Sequence, residues 1–166
     1  MRGNQFKERG FLDTTGELVE RVPDDVRVSS SAVILADDRY VLLQKRSDNE
    51  FWGLPGGGME PGESPQSCVQ REVHEETGLH VKITCPIRTY TDMEDFTIMR
   101  YPNGDLIQYI NFLFLCVKTG GVLTLCDETI DLRYFPSDKF PKNTLLSVSL
   151  RVKDTLDHID RHHCVK

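Results

Sequence analysis

Residues 57–79 read Gly-Gly-Met-Glu-Pro-Gly-Glu-Ser-Pro-Gln-Ser-Cys-Val-Gln-Arg-Glu-Val-His-Glu-Glu-Thr-Gly-Leu, a glycine-rich turn joined to a short helix. Pro55 to Gly58, then Pro61 and Gly62, hold the chain in turns that side chains would obstruct. Pro65 suits the first helical position, with Ser64 or Glu63 just outside it. Gly78 is placed to end the helix in a left-handed conformation. At about 100° per residue, Glu72 and Glu76 lie about 40° apart, with Glu75 about 60° to the other side. Three carboxylates therefore crowd one helix face, and Val69 and Val73 form a buried stripe beside it. Like charges so close raise each other's pKa unless a cation compensates. A hard divalent ion does so economically, because Mg²⁺ prefers carboxylate and water oxygens and keeps substrate phosphates as further ligands. Arg71 precedes Glu75 by four residues and Glu63 can reach it from the loop, so these pairs would hold the acids in place. A Glu-rich helix ordinarily means a solvated face. The glycine turn, Glu63 and Arg71 together outweigh that reading here.

The pattern of Gly57, five residues, Glu63, seven residues, then Arg71-Glu72-Val73-His74-Glu75-Glu76-Thr77-Gly78-Leu79 resembles the Nudix box, with no substitution at a defining position. Flanking features fit that family's domain across roughly residues 25 to 160. The resemblance implies an α/β fold, an α/β/α sandwich with a mixed β-sheet between helices. It implies a Mg²⁺- or Mn²⁺-dependent hydrolase of nucleoside diphosphates linked to another group. Glu72, Glu75 and Glu76 would be metal ligands, and the Gly56 carbonyl would complete the shell. A metal-activated water would then attack phosphorus within the pyrophosphate link, with Glu72, Glu75, Glu76 or Glu128 accepting the proton. Gly57, Glu63, Arg71 and Gly78 would support that arrangement.

The whole chain sets the limits. At 166 residues it reads as one domain with a substantial core, preceded by a polar lead-in segment over residues 1–24 and running from 25 to 166. Its formal charge of −6 argues against free nucleic acid or an anionic membrane as the main partner. A phosphorylated small molecule stays compatible, because a bound metal inverts the local field. The five cysteines are scattered and form no Cys-x-x-Cys pair, which disfavours zinc or a disulfide framework. Cys164 beside His162 and His163 reads as a terminal tail rather than a metal site. No apolar run approaches a membrane span and the first residues show no signal-peptide core, so a cytoplasmic protein is expected. A homodimer is left open.

Strands are expected over residues 26–36 and 40–45, about Asp37-Asp38, with a loop from 47 to 51 leading to the glycine turn. The box helix should run from about 65 to 77, followed by a strand from 81 to about 87. Residues 97–100 and 106–117 form a pair across Asn103-Gly104, a strong hairpin signal. Thr119-Gly120-Gly121 reads as another turn. Residues 130–135 read as a late strand and 145–159 as a closing helix, with Leu145, Val148, Val152, Leu156 and Ile159 on one stripe.

Outside the box, Glu128 falls where several Nudix members carry a further acid on a loop, although a plain turn acid, or Asp127 in its stead, fits the sequence too. Lys45 and Arg46 end a strand just before the glycine turn, where a cation can hold phosphate oxygens; Arg46 is favoured. Trp52 could stack on a base or ribose, the alternative being a packed side chain that supports the loop. His74 projects nearly opposite the carboxylates and is not expected to act as a catalyst.

The family's substrate tags are missing: no proline near Glu94 or Asp95, no tyrosine between Asp95 and Thr97, no Ser-Gln-Pro-Trp. A nucleoside triphosphate or a nucleotide sugar remains open, and ADP-ribose is weakened. The competing reading is a non-catalytic nucleotide sensor, disfavoured because every box carboxylate is kept. An RNA-decapping role would want a basic groove.

Overall fold

The computed structural model describes residues 9–37 and 39–162. Strands β1 (Asp25–Ala36) and β7 (Leu106–Gly121) run parallel at its centre, from Asp25 opposite Ile107 to Ile34 opposite Cys116. Strand β5 (Leu79–Tyr90) flanks β7 antiparallel at the sheet edge, which accommodates Pro86 and the register shifts around it. The short β6 (Ile98–Arg100) also pairs with β7. On the other side, β2 (Tyr40–Arg46) pairs with β8 (Thr129–Pro136) and with β3 (Trp52–Gly53). Strands β1 and β2 pair at Leu35–Val41 and Ala36–Tyr40 and then diverge. The opened cleft is bridged by β3, lying on β2, and by β4 (Gly56–Gly58), lying on β1.

Alternation along β1 sorts the core into two layers. Val33 faces a cluster with Trp52, Tyr90, Leu113, Val148 and Val152, whereas Ala32 and Ile34 face one with Val69, Val73 and Phe114. Helix α1 (Pro65–Thr77) therefore covers one face of the sheet and α2 (Leu146–His162) the other. Each fully buried valine on these stripes contributes about 1.5–3 kcal/mol. The result is the expected α/β/α sandwich with a mixed sheet.

Two expected turns are strands instead. Residues 56–58 pair with Ser29, Ser30 and Ser31 of β1 because a backbone without side chains can lie that close; a Cβ on Gly56 would strike the Ser30 carbonyl oxygen. Gly120 and Gly121 end β7 opposite His80 and Leu79. The hairpin at 101–105 closes as expected, with the Tyr101 N–H donating to the Asp105 carbonyl at 2.9 Å. Asp38 of the first expected turn lies outside the described residues, as do residues 1–8 and the His163 and Cys164 tail.

The later half of the lead-in is packed. Leu12 bridges Leu18, and Phe11 and Val19 are buried against Ile98 and Leu106. Buried Asp13 accepts from the Thr15 and Glu17 N–H groups and pairs with Arg100 at 3.0 Å.

Candidate active site

Helix α1 is fixed at both ends by the chemistry its sequence announces. Ser64 accepts from the Ser67 N–H at 3.1 Å, Pro65 opens the helix, and Gly78 at φ 73° donates its N–H to the His74 carbonyl at 2.8 Å. A Cβ on Gly78 would lie 2.5 Å from the Val122 carbonyl oxygen, so glycine serves both the left-handed turn and a close backbone approach.

Arg71 organises the acids. Its Nε donates to Glu63 Oε1 at 2.8 Å, and its Nη2 to Glu63 Oε2 at 3.0 Å and the Gly58 carbonyl at 3.1 Å. Its Nη1 is shared by Glu72 and Glu75, each at 2.9 Å. These hydrogen bonds, with one from the Glu60 N–H, hold the Glu63 carboxyl down at about 2. Glu76 is 7% exposed and accepts the Gly56 N–H at 2.7 Å. Burial pushes its carboxyl up to about 7, partly offset by hydrogen bonds from Gln44 and Gly56. Burial also raises Glu72, opposed by Arg71 and reinforced by the like charges of Glu75 and Glu128.

The Glu72 carboxylate occupies the space that a Cβ on Gly57 would fill, 2.5 Å from that position. Glycine at 57 is thus the cradle for a carboxylate. Glu72, Glu75, Glu76, Arg71 and the glycines of β4 all line one cavity of about 570 Å³, a size that suits a nucleotide. Among the described residues, no three acidic, histidine or cysteine side chains already converge closely enough to clasp an ion. The donors nevertheless fit a hard divalent cation: all are oxygens, they share one wall, and one is buried and carries no salt bridge.

Glu128 and Asp127 both line this cavity, and the charge of Glu128 contributes to raising Glu72. Arg46 lines it as well, but its guanidinium is held by Asp48 at 2.9 and 2.7 Å. Trp52 does not reach the cavity. It is 6% exposed, packs edge-on against Phe135 at 4.8 Å and anchors the start of α2 through the Leu145 N–H. Its expected stacking on substrate is corrected to support of the loop. His74 stacks on His80 at 4.4 Å, away from the carboxylates. His74→Ala should leave turnover near wild type; a loss as large as that of a box carboxylate would overturn this assignment of helix faces.

Several lining residues escaped the sequence reading. Asn111 bridges Ser31 and Ser29 at 2.8 and 2.9 Å, and Tyr101 and Tyr109 share a 2.6 Å hydroxyl contact. Phe96, at φ 54°, and Arg151 complete the wall on the α2 side. Arg151 follows Val148 by three residues, which puts a cation beside the buried stripe of α2, a signal present in the sequence.

A family model for the NUDIX domain matches residues 25–154. The chain is 36% identical over 132 residues to the human "8-oxo-dGDP phosphatase NUDT18", covering 78% of this chain and 36% of that protein. It is 34% identical over 112 residues to an "ADP-ribose pyrophosphatase" of Methanocaldococcus jannaschii, covering 66% of this chain and 62% of that one. A solved "UDP-X diphosphatase" superposes with a TM-score of 0.67 at 25% identity, covering 87% of this chain and 66% of that one. The chain belongs to the Nudix family. It is a hydrolase of pyrophosphate bonds in nucleotide derivatives, a class that generally uses a divalent metal.

Proposed function

We propose that the cavity cleaves the pyrophosphate link of a nucleoside diphosphate bonded to a further group, with Mg²⁺ or Mn²⁺ held by Glu72, Glu75, Glu76 and the Gly56 carbonyl. The observation that carries this reading is the placement of three carboxylates from one helix against a glycine strand in a nucleotide-sized cavity. When bound, the ion supplies charge neutralisation on the phosphates and lowers the pKa of a water. Arg71 and Glu63 hold the carboxylates in register, and Gly57 leaves room for Glu72. Arg46, tethered by Asp48, presents positive charge to the phosphates from the β2 end.

Glu128 is the acid we assign to accept the proton from the attacking water. It reaches the cavity from the loop before β8, whose path is set by the Ser47 N–H donating to the Glu128 carbonyl at 2.9 Å. Glu128→Gln is expected to lower kcat about 10²-fold with little change in KM, because the loss falls on the transition state. Asp127→Asn should be milder. Equal activity of wild type and Glu128→Gln across a pH series would remove this role and leave the rest standing.

The partner is a small nucleotide derivative, and the −6 charge opposes a stable nucleic-acid complex. The buried thiols of Cys68 and Cys116 support a reducing, cytoplasmic setting. A panel of nucleoside triphosphates and nucleotide sugars with Mg²⁺ tests the function through its products. A nucleoside monophosphate and a second phosphorylated fragment are expected. Release of free nucleoside instead would contradict cleavage at the pyrophosphate.

A further inference from the structure

The named relatives act on guanine, adenine and uracil nucleotides, so family membership leaves the base undecided. The cavity lining outside the carboxylates carries a feature that bears on it. Arg151 lines the cavity, its Nε is buried without a hydrogen-bond partner, and its guanidinium forms no ion pair among the described residues. The nearby acids are taken: Asp95 and Asp154 bind Arg88 at 2.8 and 3.1 Å, and Asp154 also accepts the Tyr90 hydroxyl at 2.9 Å. What Arg151 retains is the face of the Tyr90 ring, 5.3 Å away. Burial pushes the guanidinium down to about 10.

An unpaired cation in such a place costs stability and calls for a partner that the protein itself does not supply. The alternative, an arginine stem merely covering apolar surface, would leave Nε in water, whereas here it is buried. Thr14 lines the same cavity, 5% exposed, with its hydroxyl also lacking a partner. It is held there by its N–H to the Ile98 carbonyl and by the Leu146 N–H to its own carbonyl, each at 2.8 Å. Thr14 lies before residue 25, where the family match begins, so this part of the wall belongs to the chain's own N-terminal loop. Phe96, Leu54 and Leu145 add flat or apolar surface to the same cavity.

We propose that Arg151, with Thr14, forms the base-recognition wall of the cavity and selects a 6-oxopurine, the guanine type of base. A guanidinium offers donors and no acceptor. The O6 and N7 atoms of guanine are adjacent acceptors that match two parallel N–H groups, whereas adenine presents its N6 donor at the same edge. Apolar surface in the same cavity suits a ring. This inference rests on the nucleotide-hydrolase reading of the same cavity.

The test compares kcat/KM for GTP, ATP, UTP and CTP with Mg²⁺, together with GDP binding by calorimetry, for wild type, Arg151→Met, Arg151→Lys and Thr14→Val. Wild type should favour the guanine nucleotide over the adenine one by about tenfold or more. Arg151→Met should erase that preference by raising KM for the guanine nucleotide far more than for the adenine one, and keep or raise Tm, since it removes an uncompensated charge. Arg151→Lys keeps charge without the fork and should recover only a small part of the preference. Thr14→Val should weaken guanine binding less than Arg151→Met does. Turnover of all four bases without preference, or an equal loss for all of them in Arg151→Met, would overturn the inference while leaving the hydrolase reading intact. GDP binding that Arg151→Met selectively weakens, without hydrolysis of any nucleotide, would uphold base recognition and reject the hydrolase reading.

Discussion

Glu76→Gln is expected to keep the fold and lower kcat by about 10³-fold, the largest effect of any single side chain in the site. Glu76 is the most buried of the three acids, and the Gly56 N–H points at it from 2.7 Å. An amide oxygen can still accept that hydrogen bond, so the strand stays in place while the ligand charge is lost. In metal-free protein the same change should raise Tm, because one of several crowded negative charges disappears. The pH dependence follows from burial. With its carboxyl raised from 4.5 to about 7, folded metal-free protein holds a proton that the unfolded chain releases. Stability therefore falls as pH rises through that window, and Glu76→Gln should flatten the fall. Thermal melts in chelator at pH 5 and 8 check this; an unchanged pH slope in the variant would contradict it.

Gly57→Ala should cost about 10²-fold or more in kcat with only a small fall in Tm. Its Cβ would sit 2.5 Å from the carboxyl carbon of Glu72, and the flexible end of that side chain can swing away. The damage falls on the site more than on the fold. Gly58→Ala is the matched control, since a Cβ there meets nothing within 4 Å, and it should behave like wild type. Similar losses in both variants would mean that the strand, and not the Glu72 position, is what glycine protects.

Sequence made the box helix legible because its signals are local. Ser64, Pro65 and Gly78 mark ends that the structure reproduces at Pro65–Thr77, and Glu63, Arg71 and Glu75 meet at the spacing that suggested their pairing. The glycines of β4 and the Gly120-Gly121 end of β7 were read as turns because glycine usually marks one. Only the partner strand, distant in sequence, shows that it permits close pairing here. Trp52 was ambiguous for a similar reason: an aromatic beside a loop can face substrate or core, and Phe135, 83 positions later, settles which. Arg151 and Thr14 become neighbours of the site only through tertiary packing, as the N-terminal loop and the start of α2 join at Thr14 and Leu146.

Metal dependence tests the central claim most directly. The 166-residue protein stripped with EDTA would be assayed on the nucleotide panel, with nucleoside monophosphate release followed before and after Mg²⁺ is restored. The expected result is no turnover in excess EDTA and full recovery with Mg²⁺ in wild type, but not in Glu76→Gln. Robust hydrolysis of any nucleotide in excess EDTA would contradict it, as would Mg²⁺-dependent nucleotide binding with no hydrolysis anywhere in the panel.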